Sequence, residues 1–405
     1  MFARTIFKEV FQVHNNYIKD LFGFEDVTIK KVETDDISVT IHLETIKKEH
    51  VCPCCGNTTS KVHDYRFQTI KDAPFQFKNT FINIRKRRYK CKHCGKQFFE
   101  NLNFLPKYYR ITNKLTAAVY NKFLTTNSIK QIASETNLSS NTIYRILSLF
   151  NVSNNLLPEV LSIDEFKGNT GYSKYQVALM DNKNRRVLDI LPSRKVHDLC
   201  QYFKKFPLSQ REKVKYFVTD LWEDYKGIAM TYFPKAKVIA DRFHFVRYAC
   251  NAMDKIRIRI QKDMTTSTRK YIKGSKKILM ARPFNLKGKA PERVSYILNN
   301  FHDDLRRSYS LKEQLLDIIK LPYPELAKKL FKEWIEEAEG TQIPELLECA
   351  KTYRNWFLEI SNFFYVPYNN GVIEGTNNKI KVLKRNAFGF RNFNNFKTRI
   401  MLCTK

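Results

Sequence analysis

Three aspartates follow short apolar segments in the middle of the chain, and their positions suggest a metal site. Asp164, Asp220 and Asp241 each close a run of strand-forming residues. In α/β sheets, ligand sites gather at the carboxyl ends of strands. Neighbouring carboxylates repel one another and normally need a cation, for which Mg²⁺ is the usual choice near phosphates. The pattern predicts a divalent-cation site, although a single carboxylate at a strand end is often only a helix cap.

A fourth acid, Glu374, belongs to a segment with helical periodicity near the end of the chain. Asn378, Lys381 and Arg385 follow it at helical spacing. One helix would therefore offer a carboxylate to a metal ion and basic groups to a DNA backbone.

Two Cys-x-x-Cys pairs predict a second, structural metal site. The pairs are Cys52/Cys55 and Cys91/Cys94, and each ends in glycine. This spacing lets two thiolates on one tight turn approach one ion, and two such turns complete a closed tetrahedral Zn²⁺ site. The alternative is that the four cysteines are buried small hydrophobes. Cys54 is a spare thiol that could replace one of the ligands.

Residues 128–147 fit a helix-turn-helix. Ala133 is small where the helices would touch, Asn137 tolerates a left-handed turn position, and Ser139 can cap the second helix. We expect that helix to point three side chains at DNA, namely Asn141, Thr142 and Arg145. A basic run beside the cysteine pairs predicts further phosphate contacts through Arg85, Arg87 and Arg88. The alternatives are an ordinary helical hairpin and a solvated strand edge.

Hydrophobic periodicity outlines the elements that must position these residues. Residues 26–44 alternate as a β-hairpin does, and residues 246–365 are mostly helical and highly charged. Between them, residues 159–245 alternate strands with helical stretches. The predicted strands are Val160–Phe166, Tyr175–Asp181, Arg186–Leu191, Val214–Asp220 and Lys237–Asp241.

Composition points to a polyanionic partner. The 405 residues include 71 Lys and Arg against 40 Asp and Glu, a formal net charge of +31. A surplus of this size on a folded protein favours nucleic acid as a ligand. No run of 18 apolar residues and no signal-peptide core is present, so we expect a cytoplasmic protein with reduced cysteines and no membrane span.

Taken together, the motifs resemble those of bacterial insertion-sequence transposases of the ISL3 family. The resemblance covers nearly the whole chain in the order zinc ribbon, helix-turn-helix and DDE domain. Its motifs are Cys52-Pro53-Cys54-Cys55-Gly56, Arg88-Tyr89-Lys90-Cys91-Lys92-His93-Cys94, Ile163-Asp164-Glu165-Phe166, Asp241-Arg242-Phe243-His244 and Asn370-Gly371-Val372-Ile373-Glu374-Gly375.

The resemblance implies a multidomain α/β protein with a ribonuclease-H-like DDE catalytic domain interrupted by a helical insertion. The implied domains are an N-terminal helix and β-hairpin (1–50), a zinc ribbon (51–105), a helix-turn-helix domain (106–152), the catalytic domain (158–245 and 366–405) and the insertion (246–365).

The resemblance also implies roles for the acids. Asp164 would be the first aspartate and Glu374 the glutamate, and we choose Asp220 as the second aspartate. Asp241 and His244 would then form a supporting pair. Mg²⁺ or Mn²⁺ would bind the triad, a structural Zn²⁺ would bind the thiolates, and the DNA contacts would include Lys381 and Arg385.

The implied function is that of a DNA transposase. It would bind the terminal inverted repeats of its element, cleave DNA with the help of metal ions and join the cut strand to target DNA. We expect a homo-oligomer on nucleoid DNA. Two alternatives stay open: a ribonuclease-H-like nuclease or resolvase that never joins strands, and a non-enzymatic DNA-binding regulator.

Overall fold

The computed structural model of the chain describes residues 9–11, 22–150, 156–170, 173–262 and 264–404. Contacts divide the chain into two compact units. The first comprises residues 1–152, 382–390 and 394–403, and the second comprises 153–381, 391–393 and 404–405. The helix predicted near the N-terminus lies outside the described residues, apart from 9–11, which form a strand.

Eight strands lie in the first unit. They are β1 (Glu9–Phe11), β2 (Val27–Thr34), β3 (Ser38–Thr45), β4 (His50–Val51), β5 (Thr58–Thr59), β6 (Val62–Phe75), β7 (Lys78–Lys90) and β8 (Gln97–Phe99). Six form a sheet in the order β1-β2-β3-β7-β6 with β8 paired to β7, while β4 pairs with β5. The β2–β3 pair confirms the predicted hairpin. Its turn is stabilised by Asp35, whose carboxylate accepts hydrogen bonds from the backbone N–H groups of Ile37 (2.9 Å) and Ser38 (2.6 Å).

One face of this sheet forms the core of the unit. Ile41, Ile70, Ile82 and Ile84 are fully buried there. Because successive side chains of a strand point to opposite faces, the alternating residues of β6 and β7 face away from this core. The face away from the core carries polar and aromatic side chains, among them the exposed rings of Tyr65 and Phe67.

Three helices follow the sheet: α1 (Asn113–Phe123), α2 (Ile129–Thr136) and α3 (Ser140–Ser148). Asn137 ends α2 in the left-handed conformation, with φ at 51°. The hydroxyl of Ser139 accepts a hydrogen bond from the backbone N–H of Thr142 at 3.2 Å and so caps α3. Ile132 and Ile143 are fully buried between the helices. The two helices and the turn predicted for residues 128–147 are confirmed as local structure.

Residues 394–403 of the last helix, α16 (Phe393–Cys403), also belong to the first unit. Arg399 is fully buried, and its guanidinium donates to the backbone carbonyls of Phe123, Thr125 and Asn127 at 2.5–3.0 Å. The last carbonyls of a helix lack intrahelical partners, so these bonds satisfy the end of α1. This packing differs from the predicted boundary, which placed residues 366–405 in the catalytic domain, because periodicity does not reveal which helix end an arginine will cap.

The second unit contains a five-stranded sheet. Its strands are β9 (Val160–Thr170), β10 (Ser173–Asp181), β11 (Arg186–Leu191), β12 (Tyr216–Thr219) and β13 (Lys237–Ala240), in the order β11-β10-β9-β12-β13. The first three are antiparallel to one another, whereas β12 is parallel to both β9 and β13. The connections contain α4 (Val196–Lys204), α5 (Leu208–Arg211) and α6 (Glu223–Tyr232). All five predicted strands are confirmed.

A helical segment follows β13, as predicted for residues 246–365. The described helices are α7 (Arg242–Ile260), α8 (Thr266–Lys273), α9 (Lys276–Met280), α10 (Ala290–Asn300), α11 (Asp303–Ile318), α12 (Pro324–Gly340), α13 (Pro344–Asn355) and α14 (Phe357–Phe364), with a short 3₁₀ turn at Pro283–Asn285. They share one apolar core, in which Phe331, Trp334 and Tyr353 pack together. Helix α15 (Gly371–Asn386) follows. No described helix is both long and apolar enough to cross a membrane.

Candidate active site and metal centre

Three aspartates lie level with one another on three neighbouring parallel strands. Asp220 and Asp241 directly follow β12 and β13, whereas β9 continues past Asp164 to Thr170, so the prediction that Asp164 ends its strand was wrong. Ser162 of β9 is level with Val218 of β12, so the same register continued by two residues brings Asp164 level with Asp220. Thr219 of β12 is level with Ala240 of β13, and the next residues are Asp220 and Asp241. Residues level with one another on parallel strands face the same side of a sheet. The topology therefore brings together three carboxylates that are far apart in the chain.

The local environment of Asp164 and Asp220 disfavours their charged forms. The pKa of Asp164 is raised to about 7, mainly by burial and to a smaller extent by the negative charges of Asp220 and Asp241. The hydrogen bond from the backbone N–H of Glu165 and the charge of His244 act in the opposite direction. Burial likewise raises the pKa of Asp220. Desolvated carboxylates beside one another fit a site for a divalent cation that prefers oxygen ligands.

Asp241 makes two internal hydrogen bonds, whereas Asp220 makes only one long hydrogen bond within the described residues. One carboxylate oxygen of Asp241 accepts the backbone N–H of Asn370 at 2.7 Å, and the other bonds Nδ1 of His244 at 3.0 Å. Asp241 is only 2% exposed. By contrast, the only hydrogen bond to the carboxylate of Asp220 within the described part of the chain is a long one, at 3.4 Å, from the hydroxyl of Thr219.

His244 is tied to the same group of acids. Although burial alone would lower its pKa, the hydrogen bond to Asp241 and the charges of the nearby aspartates raise it. A positively charged imidazole with one nitrogen bonded to Asp241 offsets part of the local negative charge.

Glu374 lies on the first turns of α15, which is attached to the ends of these strands. The side-chain amide of Asn377 donates to Asp164 at 2.9 Å, and the backbone N–H of Asn370 donates to Asp241. Asn182 adds hydrogen bonds to Ser162 of β9 and to the carbonyl of Asn369, both at 2.7 Å. Glu374 is exposed and lies one helical turn before Asn377. The sheet and the helix thus bring Asp164, Asp220 and Asp241 to one edge and place the helix that carries Glu374 beside them.

The predicted triad does not collapse into a tight cluster. Among the described residues, the one group of three or more His, Cys, Asp or Glu side chains whose ligand atoms all lie within 4.8 Å is the set of four cysteines. The carboxylates of Asp164, Asp220 and Glu374 are therefore more widely spread than the thiols.

Several residues of this region were not predicted as part of the site. Asn377 is the fourth residue of the Glu374-Gly375-Thr376-Asn377 motif, so its position in that motif could have been used to predict it as a site residue. Arg194 was not detectable from spacing. Its guanidinium bonds Glu165 at 2.6 Å and lies 4.5 Å from the ring centre of Tyr175 and 5.0 Å from that of Trp222.

The four paired cysteines form the second cluster, as predicted. The Sγ atoms of Cys52 and Cys94 are 3.6 Å apart, as are those of Cys55 and Cys91. In each pair, a glycine at positive φ (72° at position 56 and 74° at position 95) closes a turn by donating to the carbonyl of the first cysteine. Cys54 is exposed and is not in the cluster. The donor set and its closed arrangement fit a structural Zn²⁺ ion.

The basic run on β7 divides between the two faces of the sheet. Arg87 is 7% exposed, and its side chain bonds Glu44 and the carbonyl of Thr45. This corrects the prediction that Arg87 contacts DNA, because its guanidinium is used inside the fold. Arg85 is half-exposed and lies 3.7 Å above the ring of Tyr65. Arg88 is partly buried in a salt bridge to Asp64.

The residues predicted as helix-turn-helix contacts are accessible. Asn141 and Arg145 are exposed on α3, and Thr142 is half-buried. Thr142 and Arg145 line a groove of about 830 Å³ whose described lining contains no acidic residue. Lys381 and Arg385 are exposed positions of α15.

Family models match both the region of the three aspartates and the region of the four cysteines. Residues 161–400 match the ISL3 family of DDE transposases, described as "Transposase", and residues 48–94 match the zinc-finger of transposase IS204/IS1001/IS1096/IS1165.

Two curated relatives carry transposase names. The chain is 25% identical over 387 residues to the transposase for insertion sequence element IS1001 of Bordetella parapertussis, a match that covers 92% of this chain and 94% of that protein. It is 24% identical over 243 residues to the transposase for insertion sequence element IS1557 of Mycobacterium tuberculosis, covering 54% of each.

The catalytic-family match extends over more than half of the chain and includes all three aspartates and Glu374. The zinc-finger match covers the four cysteines of the thiol cluster. The chain therefore belongs to the ISL3 family of DDE transposases and is a DNA transposase.

Proposed function

We propose that this transposase binds the terminal inverted repeats of its own element and performs both DNA cleavage and strand transfer at one carboxylate site. The observation that carries the proposal is the common level of Asp164, Asp220 and Asp241 on three parallel strands, with the helix of Glu374 attached beside them. Sites at the carboxyl ends of strands are typical of ligand binding in α/β folds.

The sheet topology supports a ribonuclease-H-like catalytic domain. Three antiparallel strands are followed by two that are parallel to the first, and the long helical segment enters after β13. This arrangement agrees with a DDE domain interrupted by an insertion before its glutamate.

Asp164, Asp220 and Glu374 are the proposed ligands of a pair of Mg²⁺ or Mn²⁺ ions. When bound, the ions would activate water or a 3′-hydroxyl and stabilise the leaving oxygen of an in-line phosphoryl displacement. A pair of ions held by three acids would not require all three carboxylates to lie within 4.8 Å of one another. The spread of the carboxylates therefore does not conflict with a two-ion site.

Asp220 is preferred over Asp241 as the second ligand because of their hydrogen bonds. Both oxygens of Asp241 already accept hydrogen bonds, from Asn370 and His244, and the side chain is buried. A carboxylate in this position orients its neighbours, as outer-shell groups do in metal sites. We assign Asp241 and His244 to positioning roles.

DNA recognition is assigned to the first unit. Asn141, Thr142 and Arg145 on α3 have the positions of side chains that reach bases and phosphates from the second helix of a helix-turn-helix. Arg85 and Arg88 remain candidates for phosphate contacts beside the Zn²⁺ ribbon, whereas Arg87 is excluded by its burial. Lys381 and Arg385 would contact DNA from α15, the helix that carries Glu374.

Because transposition joins two element ends, we expect a homo-oligomer on nucleoid DNA in the bacterial cytoplasm.

A strand-transfer assay separates this proposal from its rivals. The purified protein is incubated with a labelled duplex that ends in the element's terminal repeat, supercoiled target DNA and Mg²⁺. A transposase of the proposed kind produces joined product. Cleavage without joining would indicate a nuclease or resolvase, and binding without cleavage would indicate a regulator.

A further inference from the structure

A groove of about 1390 Å³ runs along β6, the edge strand of the sheet in the first unit. We call it the β6 groove. Its lining includes residues from β6, β7 and β8 and from the segment 100–110. Six cationic side chains line it: Arg66, Lys86, Arg88, Lys96, Lys107 and Arg110.

The acidic residues of the β6 groove do not balance this charge. They are Glu49 and Glu100. Glu100 is 4% exposed, and its carboxylate accepts hydrogen bonds from the hydroxyl of Thr45 at 2.7 Å and the backbone N–H of Arg87 at 2.8 Å. The groove is therefore strongly positive and suits an anionic ligand.

Most of the cations of the groove have no carboxylate partner. Arg88 pairs with Asp64, but within the described part of the chain no carboxylate lies within salt-bridge distance of the other five. Lys86 is half-buried, and its ammonium group donates to the side-chain carbonyl of Gln68 at 3.3 Å. A partly desolvated cation without a salt-bridge partner favours binding of an anion.

Exposed aromatic rings also line the groove. Phe67 points to the sheet face opposite to that of Arg66 and Lys86, so the groove includes both faces at the β6 edge. Phe67 is 77% exposed, Tyr108 is 89% exposed and Phe99 is 43% exposed. The ammonium nitrogen of Lys107 lies 5.1 Å from the ring centre of Tyr108, and that of Lys86 lies 5.4 Å from the ring centre of Phe99. Tyr108 adopts a left-handed backbone with φ at 68°, which is uncommon for a bulky residue. Such strain persists only where the surrounding structure holds it, often at ligand sites.

We propose that the β6 groove binds an unpaired DNA strand, with bases stacked on Phe67 and Tyr108 and phosphates beside Lys86, Lys107 and Arg110. Cations that track a backbone next to exposed rings are the usual means of holding single strands. In a duplex, each base is stacked between its neighbours, so its faces cannot contact an exposed aromatic ring. An unpaired base can stack on such a ring. Tyr108 and Arg110 also line the groove beside α3, whereas Phe67 and Lys86 line the β6 groove and not the one beside α3.

Other ligands explain the groove less well. An acidic peptide would pair with the cations, but its carboxylates would make no stacking contact with Phe67 and Tyr108, whose rings are exposed to solvent. A second copy of this chain, at net charge +31, would bring further positive charge to a positive groove. An unpaired DNA strand would contact both the cations, through its phosphates, and the exposed rings, through its bases. That such a strand comes from a cleaved element end rests on the proposed function, but the binding itself does not.

The test compares two DNA probes on the full-length protein. Fluorescence anisotropy measures binding of a labelled oligothymidylate of about 12 nucleotides, and separately of a blunt terminal-repeat duplex, at the same salt concentration. Because stacking on one ring contributes roughly a tenfold change in affinity, Phe67→Ala and Tyr108→Ala should each weaken oligothymidylate binding about tenfold. Duplex binding should change less than about twofold for Phe67→Ala, because Phe67 does not line the groove beside α3.

Phe77→Ala is the matched control. Phe77 is fully exposed at the β6–β7 turn and does not line the groove, so the variant removes the same side chain elsewhere in the unit. It should bind both probes as the unmodified protein does. Phe67→Tyr and Tyr108→Phe keep a ring and should retain oligothymidylate binding.

Three outcomes would overturn the inference. In the first, Phe67→Ala and Phe77→Ala bind oligothymidylate equally well. In the second, groove variants lose duplex and single-strand binding in equal measure, so the groove is a duplex surface. In the third, light scattering shows that Phe67→Ala alters the oligomeric state, so the ring packs against another copy. Arg145→Ala tests the duplex assignment separately, because it should weaken duplex binding and leave oligothymidylate binding unchanged.

Discussion

The thiol cluster of the first unit and the carboxylate site of the second are both sets of metal-ligand side chains, but they are assembled differently. Every thiol is within 4.8 Å of the others, whereas the predicted carboxylate triad is more spread out. A closed set of four ligands saturates one tetrahedral ion and leaves no position for substrate. An open set leaves room for a phosphate between ion and protein. The difference teaches that a complete set of protein ligands suits a structural ion, whereas an incomplete set leaves a coordination position for a reactant.

The two sites also differ in what holds their ligands. Each cysteine pair is shaped by its own turn, in which Gly56 or Gly95 donates a hydrogen bond to the carbonyl of the first cysteine. The acids depend on partners far away in the chain, since Asp164 is held by Asn377 and Asp241 by Asn370. The first site is therefore locally encoded, and the second exists only when the sheet and α15 have come together.

The largest effect is expected from removing one charged ligand of the open site. Asp164→Asn, Asp220→Asn and Glu374→Gln should each reduce single-turnover DNA cleavage on the order of 10³-fold or more, because stabilisation of several kcal/mol by the metal ions is lost. Binding to terminal repeats should stay nearly unchanged, since it is assigned to the first unit. The control is Asp224→Asn, an exposed acid on α6. Normal cleavage by Glu374→Gln would remove this residue from the triad.

Loss of a thiol should break the closed site. Cys91→Ser should lower the zinc content of purified protein from one ion per chain to nearly none and lower the unfolding temperature of the first unit, since zinc binding contributes to folding. Metal analysis and calorimetry provide the measurements. Cys54→Ser, a matched change at the exposed spare thiol, should keep its zinc. Equal zinc content in the two variants would contradict the assignment of the four ligands.

An intermediate effect is expected at Asp241. Asp241→Asn keeps an oxygen that can accept from Asn370 but weakens the bond to His244, and changes to outer-shell partners typically cost about 10–100-fold in metal affinity or activity. Cleavage rates measured over a range of Mg²⁺ concentrations should show a smaller loss than Asp220→Asn. If the two variants lose equal activity and Mg²⁺ does not rescue Asp241→Asn, then Asp241 is itself a ligand.

The smallest effect is expected next to Asp164. Glu165 follows it on β9 and points to the opposite face of the strand. Its salt bridge to Arg194 is partly exposed, with 24% and 41% of the two side chains accessible. Such a pair contributes roughly 0–1 kcal/mol to the free energy of unfolding. Glu165→Gln should therefore keep cleavage within about fivefold, and a loss as large as that of Asp164→Asn would assign Glu165 to the catalytic machinery.

Much of the local structure could be predicted from the sequence. The alternation in β2 and β3, the five strands of the second unit, the turn at Asn137 and the cysteine pairs all follow from patterns within short segments. The burial of Arg87 could not be predicted from such local patterns. It stands in a basic run with Arg85 and Arg88, but its guanidinium is enclosed by Glu44 and Thr45 of β3, a strand that pairs with β7 from more than 30 residues away.

By itself, the sequence determined which residues could serve as ligands, because strand periodicity and Cys-x-x-Cys spacing are local properties. It placed Asp220 and Asp241 correctly after their strands, whereas β9 continues past Asp164 to Thr170. Tertiary structure alone decided that the backbone N–H of Asn370 occupies one oxygen of Asp241, whereas within the described residues Asp220 accepts only a long bond from its neighbour Thr219. It also decided that Arg399 joins the end of the chain to α1 in the first unit. Both outcomes depend on hydrogen bonds between segments that are more than 100 residues apart, and such pairings leave no period in the sequence.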